Sequence, residues 1–490
     1  MDRIPSYLEN KIVTAEEAAA MVGPNQTVAF SGFAIVGDPH IIPQAIADRG
    51  EAKNMTVITG ASVGPNLDGS LAKAGLVSHR FPYQTNKDMR NAINAGDVYY
   101  ADQHLSHTGK FLLTPGAPEI DWAIVECCAI TGEGLVPGAA VGITDTFIRN
   151  AKNILIELNT TLPLEIEKML DIFTHVSLGT PLALTQVMDR IGTPFIPFNP
   201  EKVRGIVITD DPDHCPTFKE ADEDSKKIAA NIVDFLKAEV AAGRQPEHLR
   251  PIQSGVGNVA NAVLGGLETS GFTGLKMYTE VIQDSALNLV KKGIITGASC
   301  TSLSLSKEGQ KELFDNIDFY SSKIVIRPQG ISNHPEIARR LQLIAMNTPI
   351  ECDIYGNVNS THIMGTKVMN GIGGSGDFAR NAGLVIFATS SLAKNGDISC
   401  IVPMCSHVDH TEHDVMVIVT EQGLADLRWK SPRERAETII ENCAHPDYKD
   451  MLWDYYHRAC ALGGHTPHIL TEALSWHDRF NKTGTMKLSK

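Results

Sequence analysis

Residues 55–62 read "MTVITGAS", an almost unbroken apolar run rich in β-branched residues and closed by small ones. A run this short and this continuous suits a strand buried on both faces rather than one with a wet side. Similar runs are "TVAFSGF" (27–33), "DWAIVECCAI" (121–130), "NILIEL" (153–158) and "VRGIVIT" (203–209). Helical patterns lie between several of them. The first starts with a capping box, Thr14 with Glu17, ahead of "AEEAAAMV". Such strands alternating with helices predict a parallel sheet covered on both sides, an α/β fold.

The wording then returns: "IITGAS" at 294–299 echoes "VITGAS" at 57–62. At 490 residues the chain exceeds one ordinary core. Echo and length together predict two related open α/β domains. The clearest helix is 225–243, where Ile228, Ile232, Phe235, Leu236 and Val240 share a face, and Gly243 with Pro246 ends it. "RQPEHLRPIQ" follows as a connection. The boundary is therefore drawn near 225–253, giving domains 1–225 and 226–490. The active site is expected in the cleft between them, a usual place for a ligand.

A net charge of −14 excludes nucleic acid and anionic membrane as main partners, though a phosphorylated ligand needs only local donors. The nine cysteines are odd in number and form no C-x-x-C pair, which suits reduced thiols of an intracellular protein. "MDRIPSYLENK" has no apolar signal core, and no apolar run reaches the roughly 18 residues that span a bilayer. The expectation is a soluble, cytoplasmic protein.

Chemistry-bearing residues concentrate in the second half. "GLKMYTEVIQDS" (274–285) leaves the carboxylate of Glu280 at the end of an apolar run. It is either a surface residue at a strand end or a charged oxygen set in a cleft. "QSGVGNVANAV" (253–263) and "MNGIGGSGDFARN" (369–381) are glycine turns ahead of helical patterns. Such turns let backbone N–H groups approach an anion. Neither has the P-loop or dinucleotide spacing. Two of them beside an isolated carboxylate point to anion stabilisation. In "ISNHPEIARRL" (331–341), Asn333 reads as a helix cap, or as an amide reaching the cleft if it lies close to Glu280. "CSHVDHTEH" (405–413) suggests metal, but His407, His410 and His413 on an extended segment would not converge. They are expected as polar loop residues supporting the cleft, with no metal. Cys127 and Cys128 read as core.

Taken together, "QSGVGN", "MYTEVIQDS", "RPQGISNHPEI", "NGIGGSGDFARNA" and "VPMCSHVDHTEHDVMVIVTEQGLADLR" resemble the acetyl-CoA hydrolase/transferase family, a branch of the class I CoA-transferases. Within it the resemblance is to bacterial succinyl-CoA:acetate and propionyl-CoA:succinate enzymes. "VAFSGF", "PYQT" and "ENCAHPDYKDML" extend it over nearly the whole chain. The resemblance implies two similar α/β domains and ping-pong exchange through a glutamyl-CoA thioester on Glu280. A carboxylate with an ordinary pKa of about 4.3 is already ionised at neutral pH, so its attack needs no general base. The resemblance further implies that Val256 and Gly374 point backbone N–H groups at the oxyanion, and that Asn333 holds the reacting carbonyl or the glutamate. It places Gly255, Val256, Gly257, Asn258, Val259, Gly374 and Phe378 along CoA, Lys394 on a CoA phosphate, and Glu421 as an orienting group. CoA and acyl-CoA are substrates, no separate cofactor is implied, and a homodimer is expected. Succinyl-CoA:acetate exchange is the expected reaction; an acetyl-CoA hydrolase, a propionyl-CoA:succinate or 4-hydroxybutyrate CoA-transferase and a non-catalytic CoA-binding module stand as alternatives.

Overall fold

The computed structural model describes residues 3–174 and 179–488. They form two compact units that interleave along the chain. The first takes Met1–Thr217, Lys276–Lys291 and Ile295–Leu341; the second takes Phe218–Leu275, Lys292–Ile294 and Gln342–Lys490. A single cut near 225 does not describe this arrangement. Glu280 belongs to the first unit, and so do both copies of the "ITGAS" echo.

The first unit is built on seven strands: β1 (Thr27–Ala34), β2 (Met55–Ser62), β3 (Val77–Phe81), β4 (Tyr99–Tyr100), β5 (Trp122–Cys127), β6 (Asn153–Asn159) and β7 (Val203–Thr209). Their order is β4-β3-β2-β1-β5-β6-β7, parallel throughout. Val28, Phe30, Val57 and Ile124 are fully buried, as two-faced strands require. β2 coincides with the quoted stretch, and the Thr14–Glu17 capping box forms with both reciprocal bonds. The register between β1 and β2 slips between Phe30 and Phe33. There Gly32 has φ 88°, and a Cβ would stand 2.5 Å from the backbone nitrogen of Asp38, so only glycine fits.

That turn delivers Asp38 and His40 to a buried charged cluster near the carboxyl ends of the strands, where the sheet order reverses between β1 and β5. Asp38, Glu126, Glu157 and Asp213 are at most 3% exposed, and His40 is fully buried. Glu157 caps the helix Ile41–Arg49, accepting from the N–H groups of His40 (2.7 Å), Ile41 (3.0 Å) and Ile42 (3.0 Å). Asp213 accepts from Gly37 N–H at 2.8 Å. Burial works against a charge on His40, but Asp38, Asp213 and Glu157 outweigh it and raise its pKa to about 9. Burial and neighbouring carboxylates raise Asp213 to about 7.

Both shifts act on stability in the same direction. The folded state holds its proton on Asp213 between the ordinary 3.8 and about 7, and on His40 between 6.5 and about 9. Stability is therefore lost as pH rises through each window. Thermal melts are expected to fall steadily between pH 7 and pH 9. A melting temperature that stays flat or rises across that range contradicts this account of the cluster.

The rest of the first unit carries the strands Ile295–Cys300 and Ile324–Ile326, which pair in parallel. Arg327, fully buried, follows them. Its guanidinium is paired with Asp171 and donates to Ser299 Oγ (2.8 Å) and to the carbonyls of Val187 (3.1 Å) and Asp189.

In the second unit, the strands Ile252–Ser254, Ile344–Asn347, Leu384–Ala388 and Val417–Thr420 run parallel, with Gly423–Asp426 antiparallel at the edge. The helix predicted at 225–243 is Glu223–Ala241, and it packs on Asn258–Thr269. Ile228, Ile232 and Leu236 are buried as expected; Phe235 and Val240 are only half-buried. Glu239, on the supposedly wet side, is 1% exposed and pairs with Arg244 (2.6 Å) and Arg428 (2.8 Å). Among the described residues no helix is long and apolar enough to cross a membrane. All nine cysteines are free thiols, and only Cys215 and Cys460 are not buried.

Candidate active site

Glu280 is held by its backbone on both sides and left half-buried at its side chain. Before it, the buried Tyr278 donates its hydroxyl to Ile331 O (2.6 Å), and Thr279 N–H reaches Ser299 O (2.9 Å). The carbonyl of Glu280 accepts from Thr301 N–H (2.8 Å) and Ser302 N–H (3.1 Å). Val281–Ile282 then pairs with Ser302–Leu303. Thr301 is itself fixed: its carbonyl accepts from Val141 N–H (3.0 Å) and its hydroxyl from Gly142 N–H (3.1 Å). So constrained a backbone fixes the point from which the Glu280 side chain projects.

The condition set for Asn333 is met. It is fully buried at the end of the short helix Gln329–Ser332. That helix is anchored where Gln329 N–H meets Gly142 O (2.7 Å) and its side-chain amide meets Leu105 O (2.8 Å). Ser332 Oγ donates to Asn333 Oδ1 (3.0 Å), which fixes the amide's orientation, and Asn333 Nδ2 donates to Glu280 Oε1 at 2.5 Å. The "PYQT" loop also bears on this carboxylate: burial, then the charge of Glu280, push the Tyr83 phenol up. Arg80, just before that loop, is fully buried, paired with Asp68 (2.8 Å) and donating to Ser62 O (2.7 Å). Its role is to hold the loop.

The glycine turns lie in the second unit, both beside the strand Ile344–Asn347. Gly255 N–H bonds Met346 O (2.8 Å), and Gly257, at φ 105°, turns the chain into the helix Asn258–Thr269. Beneath it Gln253 and Asn347 exchange side-chain amide bonds (3.0 and 3.3 Å). Val256 at the tip is 51% exposed, a large apolar side chain offered outward. In the other turn, Asn370 Nδ2 donates to Ser360 O (2.8 Å) and Ser375 Oγ to Ile372 O (2.8 Å). Gly374 leads into the helix Ser375–Ala379, which packs on that strand.

The remaining expected site residues fall out differently. Phe378, placed along CoA by resemblance, is fully buried, and its N–H bonds Gly374 O (3.2 Å). Its side chain is core, so it serves the turn rather than a ligand. Lys394 is exposed in a left-handed turn with its ammonium 5.4 Å from the Phe480 ring centre. Glu421 accepts from Ser391 N–H (2.8 Å), from its hydroxyl and from the Gln422 amide (2.9 Å). Burial pushes this carboxyl up, but those bonds outweigh it and hold it below the usual range. Ser391 begins the hairpin that carries Lys394, so Glu421 braces that hairpin.

The three histidines separate, as an extended segment predicts. His407 is exposed, stacked on His362 at 3.9 Å, with Nε2 3.3 Å from Asp409; His413 is exposed; His410 is buried. Among the described residues no three His, Cys, Asp or Glu side chains are arranged to hold a metal ion.

A half-buried carboxylate gripped by an amide fits acyl transfer. The N-terminal domain of acetyl-CoA hydrolases/transferases matches residues 1–208, and the C-terminal domain matches 309–456. The chain belongs to the acetyl-CoA hydrolase/transferase family.

Relatives in this family lie on both sides of its double name. The chain is 53% identical to a succinyl-CoA:acetate CoA-transferase of Clostridium kluyveri, over 98% of this chain and 91% of that one. It is 44% identical to a propanoyl-CoA:succinate CoA transferase of Escherichia coli (97% and 98%) and 42% identical to an acetyl-CoA hydrolase of Yarrowia lipolytica (100% and 98%). Its fold is that of RipA from Yersinia pestis, with a TM-score of 0.71 at 22% identity, covering 93% of this chain and 98% of that one.

Proposed function

We propose that this protein exchanges CoA between short acyl-CoA thioesters and carboxylates, with succinyl-CoA and acetate as the pair. The observation that carries the reading is the Glu280 carboxylate, rigid in backbone and gripped by Asn333 at 2.5 Å. Ionised Glu280 attacks the thioester carbonyl, the tetrahedral oxyanion collapses, and CoA leaves as thiolate from a glutamyl–acyl anhydride. The thiolate then attacks the glutamyl carbonyl, giving a glutamyl-CoA thioester and releasing the first acid as carboxylate. The acceptor carboxylate runs both steps in reverse. No proton needs to move, which suits a site whose nucleophile carries its own charge.

In this reading the backbone N–H groups of Val256 and Gly374 serve the oxyanion. One such donor is worth about 3 kcal/mol of barrier. Asn333 holds Glu280, or the carbonyl it attacks. Residues Gly255–Val259 run along the CoA arm, where the exposed Val256 side chain suits the apolar pantetheine, and Lys394 meets a phosphate. Glu421 keeps the hairpin of Lys394 in place through Ser391. CoA enters and leaves as a substrate. The enzyme is taken to work as a homodimer in the cytoplasm.

The higher identity to a transferase than to a hydrolase favours exchange over hydrolysis. Acetyl-CoA incubated with the protein, with and without succinate, separates the two. Succinyl-CoA formed without matching free thiol is the expected result. Free CoA released regardless of succinate means a hydrolase, and turnover with neither outcome refutes the acid pair.

A further inference from the structure

We propose that His410 is a positioning residue for the oxyanion turn, acting through Ser375 on the Gly374 N–H. This deepens the reading above and rests on the role given there to Gly374. The turn at 371–374 is rich in glycine: Gly371, Gly373 and Gly374 carry no side chains, and Gly373 sits at φ 60°. Glycine supplies the shape but also the greatest freedom to leave it. A donor aimed at an oxyanion works only if held within about 10–20° of its line. Something outside the turn must supply that restraint.

Beside the bonds of Asn370 and Phe378, a restraint next to Gly374 runs through a hydroxyl. Ser375, the residue after Gly374, ties back across the turn by donating Oγ–H to Ile372 O at 2.8 Å. On its other side Oγ lies 3.0 Å from His410 Nε2. The Ile372 carbonyl can only accept, so the serine proton is committed there, and His410 Nε2 must carry the hydrogen that Oγ accepts. The bonds therefore run one way, imidazole N–H to serine O–H to backbone carbonyl. A hydroxyl engaged at both ends has no rotamer left to explore.

His410 is itself held. It is 1% exposed, and its peptide exchanges two bonds with Val358, N–H to O at 3.0 Å and O from N–H at 2.8 Å. Its ring lies on that of the fully buried Phe387, with centres 4.8 Å apart. Phe387 belongs to the strand Leu384–Ala388, next to Ile344–Asn347 in the sheet. The sheet thus passes its rigidity to the glycine turn through His410 and Ser375. This accounts for the one inward-facing histidine of the "CSHVDHTEH" motif, whose companions His407 and His413 face solvent.

Steady-state kinetics on Ser375→Ala, His410→Leu and His410→Gln test the proposal. Ser375→Ala and His410→Leu are expected to lower kcat about ten- to a hundredfold, less than outright loss of an oxyanion donor. KM for acyl-CoA should stay within about twofold, because a turn that binds but aims poorly loses transition-state contact alone. His410→Gln returns an N–H donor toward Ser375 and should recover most of the rate, which a purely space-filling role would not produce. The double variant Ser375→Ala/His410→Leu should be no slower than the worse single one. Ser375→Ala removes a single oxygen from a half-buried residue, so it stays informative if His410→Leu folds poorly. Parental kcat in Ser375→Ala, a loss confined to KM, or equal damage from Gln and Leu at 410 overturns the proposal. Exchange retained by Glu280→Ala would instead remove the reading beneath it.

Discussion

Glu280→Ala is expected to lower the rate of CoA exchange by about four to six orders of magnitude, the range seen when an attacking nucleophile is deleted. Its backbone is anchored through Thr279, Thr301 and Ser302, so alanine keeps the backbone in place while removing the carboxylate and, with it, one acceptor of the buried Asn333 amide. The melting temperature should stay close to the parent value. Glu280→Asp is the sharper probe. It keeps the charge but withdraws it by one methylene from a backbone that cannot follow, and misplacement by about 1 Å can cost a hundredfold. It also shortens the reach to Asn333. Intact-mass measurement after incubation with acyl-CoA should show a CoA adduct on the peptide holding Glu280, absent in the alanine variant. An alanine variant that still exchanges CoA would end the covalent scheme.

The largest structural effect is expected at Arg327. Its guanidinium is fully buried, paired with Asp171 and satisfied by Ser299 and two backbone carbonyls. Asp171 in turn accepts from Ile191 N–H (2.9 Å) and Gly192 N–H (2.7 Å). Arg327→Met leaves that carboxylate buried without its cation, a loss of about 3–5 kcal/mol in comparable pairs. Arg327→Lys keeps the charge but not the planar fork, so it should fall between the two. Urea unfolding of the three proteins would order them parent, lysine, methionine. A methionine variant as stable as the parent would show the pair to be dispensable. Because Arg327 opens the segment leading to Asn333, activity should fall along with stability in the lysine variant.

Much of the fold was legible because parallel strands buried on both faces leave nearly continuous apolar runs. β2 and β7 fall on the quoted residues, and the capping box at Thr14 is a local device that formed as local devices do. The pairing of Glu280 with Asn333 was legible only as a condition. The two lie 53 positions apart, and no pattern of residues encodes that distance. The burial of Glu239 escaped notice because a charged residue on a helix reads as wet unless its arginine partners, one of them at 428, are known. Phe378 went the other way: similarity of a segment says nothing of which way each side chain in it faces. The interleaving of the two units was beyond the sequence altogether, since it depends on which distant contacts win.

That interleaving sets a schedule for synthesis. The first unit cannot be completed until Leu341 has emerged, although the chain began building it from its opening residues. Meanwhile Phe218–Leu275 has already been made and belongs to a unit whose remaining strands start only after Gln342. The helix Glu223–Ala241 can pack at once on Asn258–Thr269, but it must wait for the strands Val417–Thr420 and Gly423–Asp426 that complete its cover. A nascent chain in that condition is a customer for a holding chaperone. For the same reason, a gene divided at codon 225 would yield two fragments of which neither holds a whole unit, and each would mature only by finding the other.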